Sequence, residues 1–318
     1  MGKPAGTGAD ESRSGTGSRP FRLALILTAA FTLAACHPGN QKAKQLRASC
    51  ESGDVKSCNA LAEKIQKGEY ILQDDEEAVA LFDKACQGGV GEGCSSLAVA
   101  YQQGEGVKRD SVRALSLLNK GCTGGAPEGC ARLGVLYRSG SGVPLDQRRA
   151  ASLFTKSCEQ GSMLGCANLG VLHVEGELVA PDTTRAADLF KKSCDKDIAV
   201  GCLGLGELHA AGAVVAKNDS IAAELYKKAC SGGEGMGCVR RGVAFEVGAG
   251  VDQAFWAAAT NYERGCEELN HGESCARLAM LTERGAGVDR SEKKAASLRN
   301  DACKKGHAPS CTKPKAAT

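Results

Sequence analysis

The sequence predicts an all-α protein, a right-handed α/α solenoid of about seven helical hairpins that repeat every 36 residues and are stapled by disulfides. Three observations predict this fold. Cysteines come in pairs at a fixed period, glycines and helix-capping residues recur at the same period, and strand signals are absent. A fixed period in this range is typical of stacked structural repeats rather than of one irregular core.

The cysteine pairs set the period. Of the 17 cysteines, all but Cys36 have a partner eight residues away along the chain, or nine in one pair. The first members of the pairs recur every 36 residues up to Cys266, and one step of 37 leads to Cys303. The pairs are Cys50 and Cys58, Cys86 and Cys94, Cys122 and Cys130, Cys158 and Cys166, Cys194 and Cys202, Cys230 and Cys238, Cys266 and Cys275, and Cys303 and Cys311.

A disulfide within each pair requires the chain to turn between the two cysteines. On one continuous helix, residues eight apart would be separated by roughly 12 Å, whereas the Cα atoms of a disulfide lie about 4.4–6.8 Å apart. Glycine-rich segments such as QGGVGEG, residues 87–93, permit such a turn. We therefore predict a disulfide at each corner between hairpins. Buried free thiols are the alternative, and structural zinc is disfavoured because its ligands usually lie two to four residues apart.

Two further positions predict the helix ends within each unit. Ten residues after the second cysteine of a pair comes a glycine, which is typical of a helix end that needs a positive φ. These glycines are Gly68, Gly104, Gly140, Gly176, Gly212, Gly248 and Gly285. Twelve residues before the next cysteine, six of seven units carry a residue that can cap a helix N-terminus through a side-chain oxygen. This position holds Asp74, Asp110, Asp146, Asp182, Asn218, Ala254 and Ser291.

Apolar spacing supports two helices per unit. Ala186, Leu189 and Phe190 lie on one helical stripe before Cys194, and the unit before repeats this spacing. One hairpin cannot bury both of its apolar faces, so neighbouring hairpins must stack. The stack is predicted to cover residues 50–311, with a frayed tail at 312–318.

Eight disulfides need an oxidising compartment, which predicts export. Residues 1–35 contain Arg19 and Arg22 before an apolar run of about thirteen residues, which is long enough for a signal peptide and too short to span a bilayer. The run ends in Leu-Ala-Ala-Cys, which resembles the lipobox of bacterial lipoproteins. That resemblance implies that Cys36 carries a lipid. His37, the residue after it, favours sorting to the outer membrane. Residues 36–49 then form a tether and N-terminal cap. The alternative is an ordinary secretory signal.

A unit that reads C-A-x-L-G-x-L-Y…G-x-G-V…D…A-A-x-L-F-x-K-S-C is similar to the Sel-1-like repeat, a TPR-like hairpin, and its cysteine pairs resemble the secreted subfamily with one disulfide per repeat. The sixth unit departs most from this pattern. Arg241 and Asn261 stand where the neighbours have leucine, Ala254 replaces the cap, and EELNHGES contains one inserted residue.

The resemblance implies a concave surface that holds a protein, a peptide or a cell-wall component. We expect this groove on the first helices of the units, at Gln103, Arg132, Asn168, Glu175, Arg240, Arg277 and Arg284. The alternative is that these side chains form only a solvated face. Residues 36–318 carry 36 basic and 35 acidic residues, so nothing indicates a nucleic-acid partner. The five histidines form no ligand cluster, and we expect neither a metal nor a cofactor.

Cysteine-rich relatives also suggest an alternative function, because they are described as penicillin-binding proteins with weak β-lactamase activity. Such an enzyme needs a nucleophile, a base and an oxyanion hole. The Ser-x-x-Lys pattern occurs at Ser193, Ser291 and Ser310, but the partner patterns Ser-Asp-Asn and Lys-Thr-Gly do not. Whether the chain is an enzyme stays open at this point, with the binding scaffold favoured.

Overall fold

The structure, a computed structural model, describes residues 38–69, 72–176 and 178–311. Cys36, the expected signal segment and the expected tail therefore lie outside the described residues. Within these ranges the chain forms fifteen α-helices and a final 3₁₀ turn at Ala308–Cys311, with no strand. The prediction of an all-α repeat fold is confirmed.

Each unit contains one even-numbered helix followed by one odd-numbered helix, and α1 precedes the first unit. The even-numbered helices are α2 (Val55–Gln66), α4 (Gly91–Gln103), α6 (Pro127–Ser139), α8 (Met163–Glu175), α10 (Ala199–Ala211), α12 (Gly235–Val247) and α14 (Gly272–Arg284). The odd-numbered helices are α1 (Pro38–Glu51), α3 (Asp75–Gln87), α5 (Ser111–Thr123), α7 (Gln147–Glu159), α9 (Thr183–Cys194), α11 (Asp219–Ser231), α13 (Phe255–Glu267) and α15 (Glu292–Lys304).

The helix ends lie where the repeated residues predict them. The carboxylate of Asp182 accepts a hydrogen bond from the backbone N of Arg185 at 2.8 Å, and every predicted cap except Ala254 makes the equivalent bond. Six of the seven glycines cap the even helices with φ between +68° and +80°. The first differs, because α2 ends one residue earlier and Lys67 is its cap, although Gly68 keeps a φ of +63°.

All eight cysteine pairs are disulfides, with Cα–Cα distances of 4.4–4.8 Å. Each of the first seven joins the last turn of an odd helix to the first turn of the next even helix, and Cys303–Cys311 joins α15 to the 3₁₀ turn. The corners turn through residues in the left-handed region, such as Gly161 at φ +95°. Each repeat therefore carries one disulfide, as the subfamily resemblance implies.

The packing of neighbouring helices defines an inner and an outer face. Every helix packs against the next helix in the chain. From α4 to α14, each even helix also contacts the following even helix, whereas successive odd helices make few or no contacts. The even helices are therefore closer together and form the inner face of the solenoid, as the sequence predicts for the first helix of each unit.

Glycine allows the two helices of a hairpin to pack around a large side chain. Phe190 on α9 is 2% exposed and lies against Gly170 on α8. A Cβ on Gly170 would lie 2.8 Å from Cε1 of Phe190, closer than a side chain tolerates. Deleting such a buried ring costs about 3–5 kcal/mol, so the aromatic residue is a large part of a core that is otherwise rich in alanine.

The N-terminal helix is longer than the sequence predicts. We expected a tether over residues 36–49 that ends in a partial helix, but α1 begins at Pro38. Proline is favourable in the first turn of a helix, where its missing N–H has no intrahelical partner. Ala43, Leu46 and Cys50 lie on one stripe, and Ala43 and Leu46 pack against the core of the first units. No helix among the described residues is long and apolar enough to cross a bilayer.

Candidate binding groove on the inner face

The inner face contains a groove with a volume of about 800 Å³ that runs across five even helices. Its lining is mostly apolar, and it begins at Gln102 on α4 and ends at Arg240 on α12. Val135 and Val174, which line it, are 37% and 49% exposed. The further apolar residues of the lining are Leu136, Leu164, Val171, Phe190, Val200, Leu203, Leu208 and Met236. A concave, apolar surface with a few polar groups is typical of a binding site.

The structure brings three of the seven predicted groove residues together. Arg132, Asn168 and Arg240 line the groove from α6, α8 and α12. Two others lie near it, since Gln103 adjoins the lining residue Gln102, and Glu175 pairs with the lining residue Arg138. The last two, Arg277 and Arg284, lie on α14, outside the lining of the groove.

The apolar residues of the groove were missed by sequence reasoning, although one register contains the signal. Two residues before the second cysteine, three neighbouring units carry Leu164, Val200 and Met236. The same register holds glutamate in the units on either side, at Glu92, Glu128 and Glu273. The equivalent positions thus change from glutamate to apolar residues in three neighbouring units and back to glutamate. The change indicates that the centre of the inner face is more apolar than its two ends.

Ion pairs between neighbouring even helices form the rim of the groove. Arg138 on α6 donates to Glu175 on α8 at 2.8 Å, and Arg240 on α12 donates to Glu207 on α10 at 3.0 Å. Arg132 pairs with Glu128 on its own helix at 3.3 Å. These side chains are 33–45% exposed, and ion pairs of this kind contribute about 0–1 kcal/mol to stability. The rim therefore offers both signs of charge to a ligand.

Below the rim, the phenol of Tyr226 on α11 is buried at 6% exposure. Burial raises the pKa of Tyr226 to about 12, with a further contribution from the charge of Glu207. The phenol is therefore neutral at physiological pH and belongs to the packed layer below the groove.

The serines of the Ser-x-x-Lys patterns make polar contacts within the fold. Ser193 is 0% exposed, and its Oγ lies 2.8 Å from the carbonyl oxygen of Leu189 and 3.0 Å from that of Met163. Ser291 caps α15 by accepting a hydrogen bond from the backbone N of Lys294 at 3.2 Å. Ser310 lies 2.7 Å from Nδ1 of His307 in the final corner, and its Lys313 lies outside the described residues. None of the three lines the groove.

Histidines near the groove are packing residues. His173 on α8 is 7% exposed, and its Nδ1 lies 3.0 Å from the carbonyl oxygen of Ala180. His209 makes the equivalent contact to Ala216 at 3.3 Å in the next unit. In the part of the chain that the structure describes, no group of three or more histidine, cysteine, aspartate or glutamate side chains could hold a metal ion.

Comparison with protein families identifies the repeat. The model of the Sel1 repeat matches six segments that together span most of residues 55–307. The chain belongs to the Sel1 repeat family. The matched segments are 55–90, 91–125, 127–162, 164–198, 199–234 and 272–307. The unmatched interval contains the sixth unit, which is the unit whose sequence departs most from the repeat.

One solved structure supports the Sel1 fold, and a second protein is similar in sequence. A Sel1 repeat protein from Oxalobacter formigenes matches with a TM-score of 0.52 and 18% identity over 96% of both chains. The protein c5321, a protective antigen of uropathogenic Escherichia coli with an SLR fold, is 26% identical with a TM-score of 0.48 over 84% of this chain. The match spans 57% of the length of that antigen. No curated protein matches the chain.

Proposed function

We propose that this Sel1 repeat protein is an exported, lipid-anchored scaffold that binds a protein or peptide in its inner groove. The single observation that carries the proposal is the apolar groove of about 800 Å³ across α4 to α12. Sel1 repeat proteins generally mediate protein interactions, which supports the same function. A cell-wall fragment is the alternative ligand, and such a fragment would be held through the polar rim.

The shape of the groove favours an extended or helical segment of a partner. Neighbouring packed helices are about 8–10 Å apart, so five inner helices span roughly 32–40 Å. An extended peptide covers this distance with about 10–12 residues at roughly 3.3–3.6 Å each. The exposed valines Val135 and Val174 would lose their contact with water on binding, which supplies the free energy of association.

Binding can be tested with a random peptide library displayed on phage. We expect selection on the full chain to yield peptides that bind it, and a Val135→Glu/Val174→Glu double variant to lose them, because each glutamate places a charge in the apolar lining of the groove. A Val112→Glu/Val214→Glu variant is the matched control, since these valines are 81% and 56% exposed and lie outside the groove. A library without binders, or equal binding to both variants, would contradict the proposal.

Export and anchoring are a separate part of the proposal. Eight disulfides indicate an oxidising, extracytoplasmic environment. Cleavage before Cys36, a thioether-linked diacylglycerol on its sulfur and sorting to the outer membrane would complete the pathway. The intact mass after mild detergent extraction tests cleavage, lipidation and disulfide formation together. We expect the mass of residues 36–318 plus lipid, less the hydrogens lost to eight disulfides, and a Cys36→Ser variant without lipid. An unmodified mass would refute anchoring.

A further inference from the structure

The eight disulfides differ in how far they are exposed to solvent. In the first seven pairs, the second cysteine is at most 5% exposed. The first cysteine of these pairs is at most 9% exposed in six of them, and Cys158 is partly buried. In the last pair, Cys303 is partly buried and Cys311 is exposed. Among the described residues, Cys311 is therefore the one cysteine of a disulfide that lies on the surface.

The packing of the helices explains this difference. In each of the first seven pairs, the second cysteine lies in the first turn of an even helix, which packs against the odd helices before and after it. Cys311 lies instead in the final 3₁₀ turn, which packs mainly against α15. No helix of the described part of the chain follows this turn and covers it. A thiol in solution can therefore approach the last disulfide without opening a hairpin.

The last disulfide can open while the hairpins stay packed. All four residues of the 3₁₀ turn are exposed or partly buried, so none of them belongs to the core. Backbone hydrogen bonds also hold this corner. The backbone N of His307 donates to the carbonyl oxygen of Ala302, and the backbone N of Ser310 donates to that of His307, both at 2.9 Å. In the other corners the sulfurs join two packed helices, so a reagent reaches them only after local unfolding.

We propose that Cys303–Cys311 is a site of thiol–disulfide exchange with an external dithiol, whereas the other seven disulfides are structural. One thiolate of the dithiol attacks Sγ of Cys311, because Cys311 is the exposed partner. The bond between the two sulfurs of the protein breaks, and Cys303 leaves as a thiolate that takes up a proton. A mixed disulfide then joins the dithiol to Cys311.

The second thiol of the dithiol completes the exchange. It attacks the sulfur of the dithiol in the mixed disulfide, which releases Cys311 as a thiol and closes a disulfide within the former dithiol. Two electrons and two protons pass in total from the dithiol, which is oxidised, to Cys303 and Cys311, which are reduced. The chain gains two thiols in its last corner. This inference goes beyond the proposed function and does not depend on the groove.

Limited reduction of the oxidised native protein tests the proposal. One sample is treated with dithiothreitol and another with reduced thioredoxin, both at about pH 8, where part of the thiol is thiolate. Free thiols are then labelled with N-ethylmaleimide and located by peptide mass spectrometry, against a sample without reductant. We expect Cys303 and Cys311 to be labelled first, at least about tenfold faster than any other pair, because their reduction needs no local unfolding.

The two reductants distinguish the sources of the dithiol. Labelling with dithiothreitol alone would assign the site to small dithiols, and labelling with both reagents would extend it to protein dithiols. If neither reagent opens this pair first, or if the eight pairs are reduced together, the exchange site is refuted. The binding groove would be unaffected by that result.

A variant and a denatured sample are the controls. We expect Cys303→Ala/Cys311→Ala to show no labelling above the sample without reductant over the same interval, and to keep the helical circular dichroism of the native protein. In urea, all eight pairs should be reduced at similar rates, because the difference in exposure is lost. A preference for Cys303 and Cys311 that persists in urea would show that the local sequence causes it, and would overturn the argument from exposure.

Discussion

The fourth and sixth units share an architecture but not the motifs that produce it. In the fourth unit Asp182 caps α9 and Phe190 fills the hairpin. In the sixth unit Ala254 begins α13 without a side-chain bond, and Tyr262 takes the place of the phenylalanine at 0% exposure. The sixth corner nevertheless closes with a Cα–Cα distance of 4.6 Å, against 4.5 Å at the end of the fourth.

New contacts replace the missing motifs in the sixth unit. Arg241, which stands where neighbours have leucine, lies 5.4 Å from the ring centroid of Phe245. The hydroxyl of Tyr262 donates a hydrogen bond to Glu246. The inserted residue is accommodated by a wider turn in the corner, because the backbone N of His271 donates to the carbonyl oxygen of Gly265, six residues back, whereas Ile198 in the fourth corner donates to Ser193, five residues back. The comparison indicates that the spacing of corners and helix ends, rather than any one motif, determines the hairpin.

Removing the aromatic ring should have the largest effect in both units. We expect Phe190→Ala and Tyr262→Ala each to lower the free energy of unfolding by about 3–5 kcal/mol, because each ring fills its hairpin and leaves a cavity. Urea denaturation with intact disulfides measures this. Tyr262→Phe is the control, since it keeps the ring. A cost below about 1 kcal/mol for Tyr262→Ala would show that the sixth unit is loosely packed.

Removing a corner disulfide should cause the second largest loss of stability. We expect the double variants Cys230→Ala/Cys238→Ala and Cys266→Ala/Cys275→Ala each to cost roughly 2.5 kcal/mol, because one extra residue hardly changes the entropy of loop closure. Double variants leave no free thiol. Hydrogen exchange at the flanking helices measures local opening. A much smaller loss at the sixth corner would mean that the insertion has already relaxed it.

Adding a cap to α13 and removing the cap of α9 should change the free energy of unfolding in opposite directions. Ala254→Asp gives α13 the missing side-chain acceptor, and we expect about 1 kcal/mol of added stability. Asp182→Ala removes the bond to the backbone N of Arg185 and should cost about the same. Thermal unfolding of the two variants provides the measurement. If Ala254→Asp gives no gain, the N-terminus of α13 already has another partner.

The smallest expected effect is a loss of stability at low pH, through His271 in the sixth corner. Burial lowers the pKa of His271 below its usual 6.5, a second contribution from His307 acts the same way, and Glu273 and Glu234 oppose it. The unfolded chain therefore binds a proton more readily, so the stability present above about pH 6.5 is lost as the pH falls below it. In the third corner, Ser162 takes this position. We expect His271→Ser to remove this pH dependence of the free energy of unfolding in denaturation measurements. If the variant loses stability with falling pH as the native protein does, another group causes the dependence.

Much of the fold could be predicted because its signals are local and repeated. Each corner shows its cysteines, and Gly176 and Asp182 mark the end of α8 and the start of α9 within a few residues, so these helix ends can be assigned from the sequence. The groove could not be predicted from the sequence, because its depth depends on how closely successive even helices approach each other. That distance is set by packing across units, such as Phe190 between Gly170 and Gly204. The predicted groove residues are charged or polar, whereas much of the observed lining is apolar, as at Val135 and Val200.

The start of α1 at Pro38 has a consequence for the lipid anchor that we propose on Cys36. Only His37 separates this helix from Cys36, and even a fully extended chain gains no more than about 3.6 Å per residue. With a lipid on Cys36, the start of α1 would be held within about 10 Å of the headgroups, so the solenoid would rise directly from the membrane surface without a flexible tether.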